Sequence, residues 1–199
     1  MSGFHDYFKF SADTEVVLAS LGWAFASAEL TLPRDAGIVD ARFDDLRARL
    51  LHALRTIPME SEIARREYLA APILLELSRH LEIKLRSEYA VNVSPRLHGV
   101  YDYFLQKGNV LLVIEAKNAD MVRGFTQLAA ELIALDAFAD ADLPLLYGAV
   151  TVGDSWRFGV LDRAEKRITQ DISQFRIPAD LDDLLAVLTG ILQDVSLGR

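Results

Sequence analysis

The chain has 199 residues, 51% of them hydrophobic and 25% charged, which excludes disorder, collagen and repeat arrays and argues for a single domain with an appendage. The formal charge of −8 divides into −2 over residues 1–57, −4 over 58–152 and −2 over 153–199, so no segment carries the basic footprint usual in nucleic-acid binding. The absence of cysteine excludes disulfides, thiolate metal sites and a cysteine nucleophile.

No run of 18 apolar residues is present, so a membrane span is not expected. Val16–Leu30 imitates a signal h-region, with Ala26-Ser27-Ala28 as a cleavage site. The acidic Asp6, Asp13 and Glu15 before it are wrong for an n-region, and a cytoplasmic location is the expectation. The same stretch fits either a buried helix or a strand pair. Arg42–Arg55 carries Phe43, Leu46, Leu50, Leu51 and Leu54 at helical spacing. Ser61–Leu81 reads as a second helix, kinked or restarted at Pro72 because proline has no N–H to donate. Strands are expected at Tyr89–Val93, Leu97–Leu105 and Val110–Lys117, then a helix at Asp120–Phe138 and an apolar strand at Leu145–Val152. Trp156–Leu161 and Arg167–Asp171 read as a hairpin, and Pro178 as the opening of a last helix. The order is that of a mixed α/β domain.

Several motifs fail. None of His5, His52, His80 and His98 lies within four residues of another, so zinc spacing is absent. Gly153-Asp154-Ser155 is followed by no histidine and reads as turn chemistry. Glycine-rich phosphate loops are missing.

The informative stretch is Val100–Asn118. Gly108-Asn109 between two apolar runs signals a two-residue hairpin loop. Such a loop sets Asp102 opposite Glu115, Phe104 opposite Val113 and Val100 opposite Lys117. Strand alternation then puts Asp102, Glu115 and Lys117 on one face. Two carboxylates directly opposite repel, and burial raises the cost. Lys117 offsets this in part, and a divalent cation held by hard oxygen ligands offsets it better. A structural ion pair on a solvated face accounts equally for the bare residue types.

Asp102 followed on the next strand by Glu115-Ala116-Lys117 resembles the PD-(D/E)XK nuclease superfamily, with its restriction-endonuclease-like core of order α-β-β-β-α-β. The resemblance covers about residues 58–175. It implies an α/β fold, with a nuclease-like domain at 58–199 ending in a hairpin plus helix, and an N-terminal extension at 1–57 that has no counterpart. Gln127 matches the glutamine that many members carry on the following helix. Glu67 or Glu62 is a candidate for the first-helix glutamate, although Glu67 beside Arg65 and Arg66 also fits a charged helix face. Tyr147-Gly148, Thr151, Gly153, Trp156 and Phe158 resemble a strand-turn-strand block found after such cores. Two residues depart from the pattern. Tyr101 replaces the motif's proline, and Glu131 stands where related helicase-nuclease domains often carry a tyrosine.

The resemblance implies hydrolysis of phosphodiester bonds in nucleic acid, DNA in the first instance. Asp102 and Glu115 would hold Mg²⁺ or Mn²⁺, with the Ala116 carbonyl a further ligand, and Lys117 would orient the attacking water. Gln127 would contact substrate or support the site. Arg65, Arg66, Arg96, Lys107 and Arg123 are the candidates for phosphate contact. They are few, and with the apolar Val16–Leu30 they lead to the expectation of a homodimer. The alternatives are a catalytically inactive nuclease-like module used for interaction, and a structural α/β protein with a chance triad.

Overall fold

The computed structural model describes residues 3–9, 12–35, 37, 43–107, 110–115 and 120–193, with the backbone alone at residues 8 and 110–115. The elements run α1 (Phe4–Lys9), α2 (Thr14–Ser20), β1 (Ala24–Ala28), α3 (Asp44–Thr56), α4 (Glu62–Arg65), a π-turn (Arg66–Ala70), α5 (Ala71–Leu81), β2 (Leu85–Ser94), β3 (Leu97–Gln106), β4 (Val110–Glu115), α6 (Met121–Asp136), β5 (Leu145–Thr151), β6 (Ser155–Asp162), β7 (Arg167–Asp171), β8 (Phe175–Arg176) and α7 (Leu181–Gln193). The α/β class expected from the sequence is what forms.

One sheet organises the chain, in the order β1-β7-β6-β5-β4-β3-β2, with the short β8 paired to β6. The β1–β7 and β4–β5 pairs are parallel and the rest antiparallel. Side chains alternate across β5, so Tyr147 and Ala149 join one core while Leu146 and Val150 join the other. The first core is closed by α3, α5 and α7, the second by α1, α2 and α6. The result is a sheet covered on both faces.

Residues 1–57 contribute to the same sheet and cores. Val16–Leu30 is neither a helix nor a strand pair but half of each. Gly22, at φ +83, ends α2 with no Cβ penalty, and β1 follows at once. Val17 and Leu18 are buried, and Phe25 lies 6.1 Å from the Phe125 ring of α6. The apolar stretch invoked for a homodimer is therefore partly used within the chain, while Val16 stays 60% exposed and β1 forms an edge of the sheet. No helix among the described residues is long and apolar enough to cross a membrane.

Pro72 acts as expected, but through a π-turn. Proline withdraws an N–H from the helical ladder just where the wide turn Arg66–Ala70 ends, and α5 restarts with Pro72 in its first turn. Pro178 does not open the last helix. It lies in a turn whose carbonyl accepts from Arg47 at 2.7 Å and from Leu181 N, and α7 begins at Leu181.

The Tyr147–Phe158 block builds a tight β5–β6 connection. A Cβ on Gly148 would come within 2.7 Å of Leu128, and Gly153 sits at φ +92 against Arg65 and Leu69. Thr151 Oγ1 donates to the Ser155 carbonyl at 3.1 Å and accepts from Gly153 N at 2.9 Å. Trp156 Nε1 donates to the Gly153 carbonyl at 3.2 Å. Turn chemistry accounts for Gly153-Asp154-Ser155.

Candidate functional site

β3 is the strand on which the site depends, and its alternation breaks in the middle. Tyr103 and Leu105 belong to the α5 side, yet Tyr101, two residues from Tyr103, belongs to the α6 side with Phe104. The neighbouring strand does the same, since Leu85 packs on the α5 side and Tyr89 and Val91 on the α6 side. The β2–β3 pairs pass from Ser87↔Tyr103 directly to Tyr89↔Tyr101. The residues skipped are Glu88, held at φ 52, and Asp102. A non-glycine residue at such a φ is uncommon and costs about 1–3 kcal/mol. Here it lets both strands change faces together.

The break places Asp102 at a cleft of about 350 Å³ lined by residues of α1, β2, β3 and α6. Glu88, His98 and Asp102 come from the strands, Gln127 from α6, and Phe4 and His5 from α1. Gly99 at φ +150 leaves the space that the Phe4 ring fills; a Cβ there would lie 2.7 Å from it. Phe4 stacks on Tyr101 at 5.6 Å, and Tyr7 donates to the Arg96 carbonyl at 2.9 Å, which fixes α1 as one wall.

Of the residues expected at the site, the structure brings Asp102 and Gln127 to this one cleft. Asp102 is half-buried. Gln127 is buried, not an exposed polar residue of an amphipathic helix. Its Nε2 donates to Glu131 Oε1 at 2.9 Å, one helical turn on. Glu131 is 0% exposed, and among the described residues its Oε2 has no hydrogen-bond partner. Leaving such an atom unpaired costs about 1–3 kcal/mol. Burial first, and the charge of Asp102 second, raise the Glu131 carboxyl well above the usual range, against the opposing effect of the Gln127 hydrogen bond. Both effects favour the protonated acid over the carboxylate at this position. Tyr101 donates its hydroxyl to the Glu131 carbonyl at 3.1 Å, and burial raises its pKa strongly.

Glu67 is exposed and outside the cleft lining, and Glu62 is half-buried on α4. Beside the cleft, Arg66 is ion-paired to Glu88 at 2.7 Å, and its guanidinium carbon lies over the Tyr103 ring, 5.9 Å from the centroid. With both partners partly exposed, that pair contributes about 0–1 kcal/mol.

The β3–β4 register differs by one residue from the expected one. The pairs run from Gln106↔Val110 to Tyr103↔Val113, with Phe104 opposite Leu112 instead of Val113. β3 ends at Gln106 and β4 begins at Val110, one rung away from the register that a two-residue loop at Gly108-Asn109 would set. Extending the ladder by one rung would set Ile114, not Glu115, opposite Asp102. The backbone of Glu115 pairs with Thr151 of β5. The Glu115 side chain, Ala116 and Lys117 lie outside the described residues, as do Gly108 and Asn109.

Sequence reasoning passed over Glu88, His98 and Glu131 as site residues. Glu131 was visible only as a departure from a pattern. Glu88 gave no signal, because nothing in the local sequence marks a break in alternation. Among the described residues, no group of three or more His, Asp or Glu side chains is arranged to hold a metal. Comparison with known proteins adds no relative: no family model matches the chain, and no curated protein matches its sequence.

Proposed function

We propose that the protein is a metal-dependent nuclease that hydrolyses phosphodiester bonds of nucleic acid, DNA in the first instance, on a restriction-endonuclease-like core. The observation that carries this reading is the convergence of Asp102 and Gln127 on one cleft. They come from the second strand and the following helix of an α-β-β-β-α-β succession. The donor chemistry suits a hard divalent cation. Glu88 and Asp102 present carboxylates at one cleft, and Glu88 is paired with the partly exposed Arg66.

Asp102, Glu115 and the Ala116 carbonyl would hold Mg²⁺ or Mn²⁺, which when bound lowers the pKa of a water and stabilises charge on phosphoryl oxygens. Lys117 would orient the attacking water. Gln127, its amide fixed by Glu131, directs its remaining polar atom toward the bound strand. Cleavage of duplex DNA, single-stranded DNA and RNA in Mg²⁺ and in Mn²⁺, with Lys117→Ala alongside, tests the reading. Loss of all cleavage in that variant supports it, and wild-type protein inert on every substrate and metal defeats it.

The β3–β4 register favours a second reading, a catalytically inactive nuclease-like module used for interaction. It would not require Glu115 opposite Asp102. Binding of nucleic acid without cleavage would select it.

A further inference from the structure

Five basic residues were expected to contact phosphate, and the structure gives four of them partners away from the cleft lining. Arg65 donates to the Met59 and Glu60 carbonyls, each at 3.0 Å, and so holds the entry to α4. Arg96 donates to the carbonyl and hydroxyl of Ser20, at 3.3 and 3.0 Å. Lys107 donates to the Leu81 carbonyl at the end of α5, at 2.9 Å. Arg123 lies 3.5 Å from Asp120, the residue that caps its own helix.

Arg66 is placed differently. It opens the π-turn, and π-turns inside helices occur frequently at functional sites. Its guanidinium covers the Tyr103 ring, and its hydrogen-bonding partner among the described residues is the half-exposed Glu88 carboxylate. A guanidinium carries five in-plane N–H donors. The ring contact consumes none of these donors, and the ion pair to Glu88 does not exhaust them. Partial burial works against the charge, yet the hydrogen bond to Glu88 and the negative charges around it, Asp102 included, keep Arg66 firmly protonated.

Resting on the nuclease reading, we propose that Arg66 is the phosphate-binding residue of this cleft, and that Glu88 occupies its fork until a nucleic-acid phosphate displaces it. A carboxylate and a phosphodiester both offer two equivalent oxygens to an arginine fork. Glu88 belongs to the cleft lining, next to Asp102, so an incoming phosphate meets a competitor already seated. The fold maintains that competitor at a disfavoured backbone angle, in the one rung where β2 and β3 change faces. Such an arrangement makes resting affinity low, in keeping with an acidic chain, and directs the strand toward Asp102.

Fluorescence anisotropy of a labelled 20-base duplex, with Ca²⁺ replacing Mg²⁺, tests this on the full chain across a salt series. Arg66→Gln is expected to weaken binding about tenfold and to reduce the salt slope by about one, the signature of a lost phosphate contact. Glu88→Gln is expected to tighten binding several-fold, and Arg66→Lys to keep the slope. Thermal melts of each variant show whether it is folded, and the slope is read only on folded protein; a merely structural Arg66 would leave it unchanged. Wild-type cleavage with an unaltered slope in Arg66→Gln overturns the proposal and leaves the nuclease reading standing. A slope lost in Arg66→Gln without any wild-type cleavage keeps the proposal and removes hydrolysis. No binding by the wild type at low salt overturns it.

Discussion

Glu88 and Asp102 stand opposite one another at the rung where β2 and β3 both exchange faces. Regular strands would send Tyr101 and Tyr103 to the same side. The break sends them to opposite cores and leaves Asp102 at the boundary, where its charge acts on both Glu131 of α6 and Arg66. Replacing Glu88 by a β-branched residue, which tolerates positive φ poorly, is expected to restore alternation or to destabilise the sheet. In Glu88→Val the thermal melt should fall, whereas Glu88→Asn, more at ease at that angle, should melt near the wild type.

Asp102→Asn keeps the shape of the side chain and removes its charge. Cleavage should drop by about 100-fold or more, the usual scale for losing one electrostatic element of a site. Under the nuclease reading, millimolar Mg²⁺ or Mn²⁺ should raise the melting temperature of the wild type by binding the folded state alone, and the same variant should lose that rise. An equal shift in both proteins would place the cation elsewhere.

Glu131 predicts a pH dependence with a definite sign. Its carboxyl is raised in the folded protein, so the unfolded chain releases that proton at lower pH than the folded one. The stability tied to its neutral form is present below the unfolded pKa and is lost as pH rises toward the folded value. Glu131→Gln cannot ionise and keeps a partner for Gln127. The variant should therefore gain on the wild type in melts at pH 8 relative to melts at pH 4. A constant difference across that range would mean that Glu131 is not held neutral.

Gly148→Ala should destabilise by about 1–3 kcal/mol, as expected when a methyl group is forced into a packed core. The added Cβ meets Leu128 at 2.7 Å, on the α6 turn that carries Gln127. Denaturant unfolding measures the loss. Any fall in cleavage beyond the unfolded fraction would report displacement of Gln127.

Truncation to a chain starting near Ile57 removes α1, α2, β1 and α3. Phe4 and Leu18 are buried, and each side chain contributes about 1.5–3 kcal/mol by leaving water. The shortened chain should lose its cooperative melt. Light scattering that showed a folded, soluble truncation would mean that these elements are accessory. A homodimer of the full chain would have to use a surface other than Val17 and Leu18.

Much of the fold is legible in the sequence, because apolar spacing and glycine or proline punctuation report local structure well. The helices around Leu46 and Leu128 and the strands at Leu97 and Leu145 fall where periodicity puts them. Properties set by distant residues are not legible. Gln127 and Glu131 look like the polar side of an amphipathic helix, and are buried only because α1 and α2 fold back over α6. The β3–β4 register turned on whether the loop holds two residues or three, a choice that Gly108-Asn109 left open to misreading. The face change at Asp102 depends on Glu88 in a different strand.

The parallel pairing of β1 with β7 sets a constraint on biosynthesis. Ala24 finds its place beside Arg167, which emerges from the ribosome about 140 residues later, roughly 7–30 s at ordinary rates of synthesis. During that interval the stretch from Val16 to Leu30 has no strand partner, and until Asp136 is made it lacks the α6 face as well. A nascent chain in this condition is a natural client for a holding chaperone. Slowing translation after β1 would lengthen that vulnerability, so the yield of folded protein should depend on codon usage between these two strands more than on codon usage after β7.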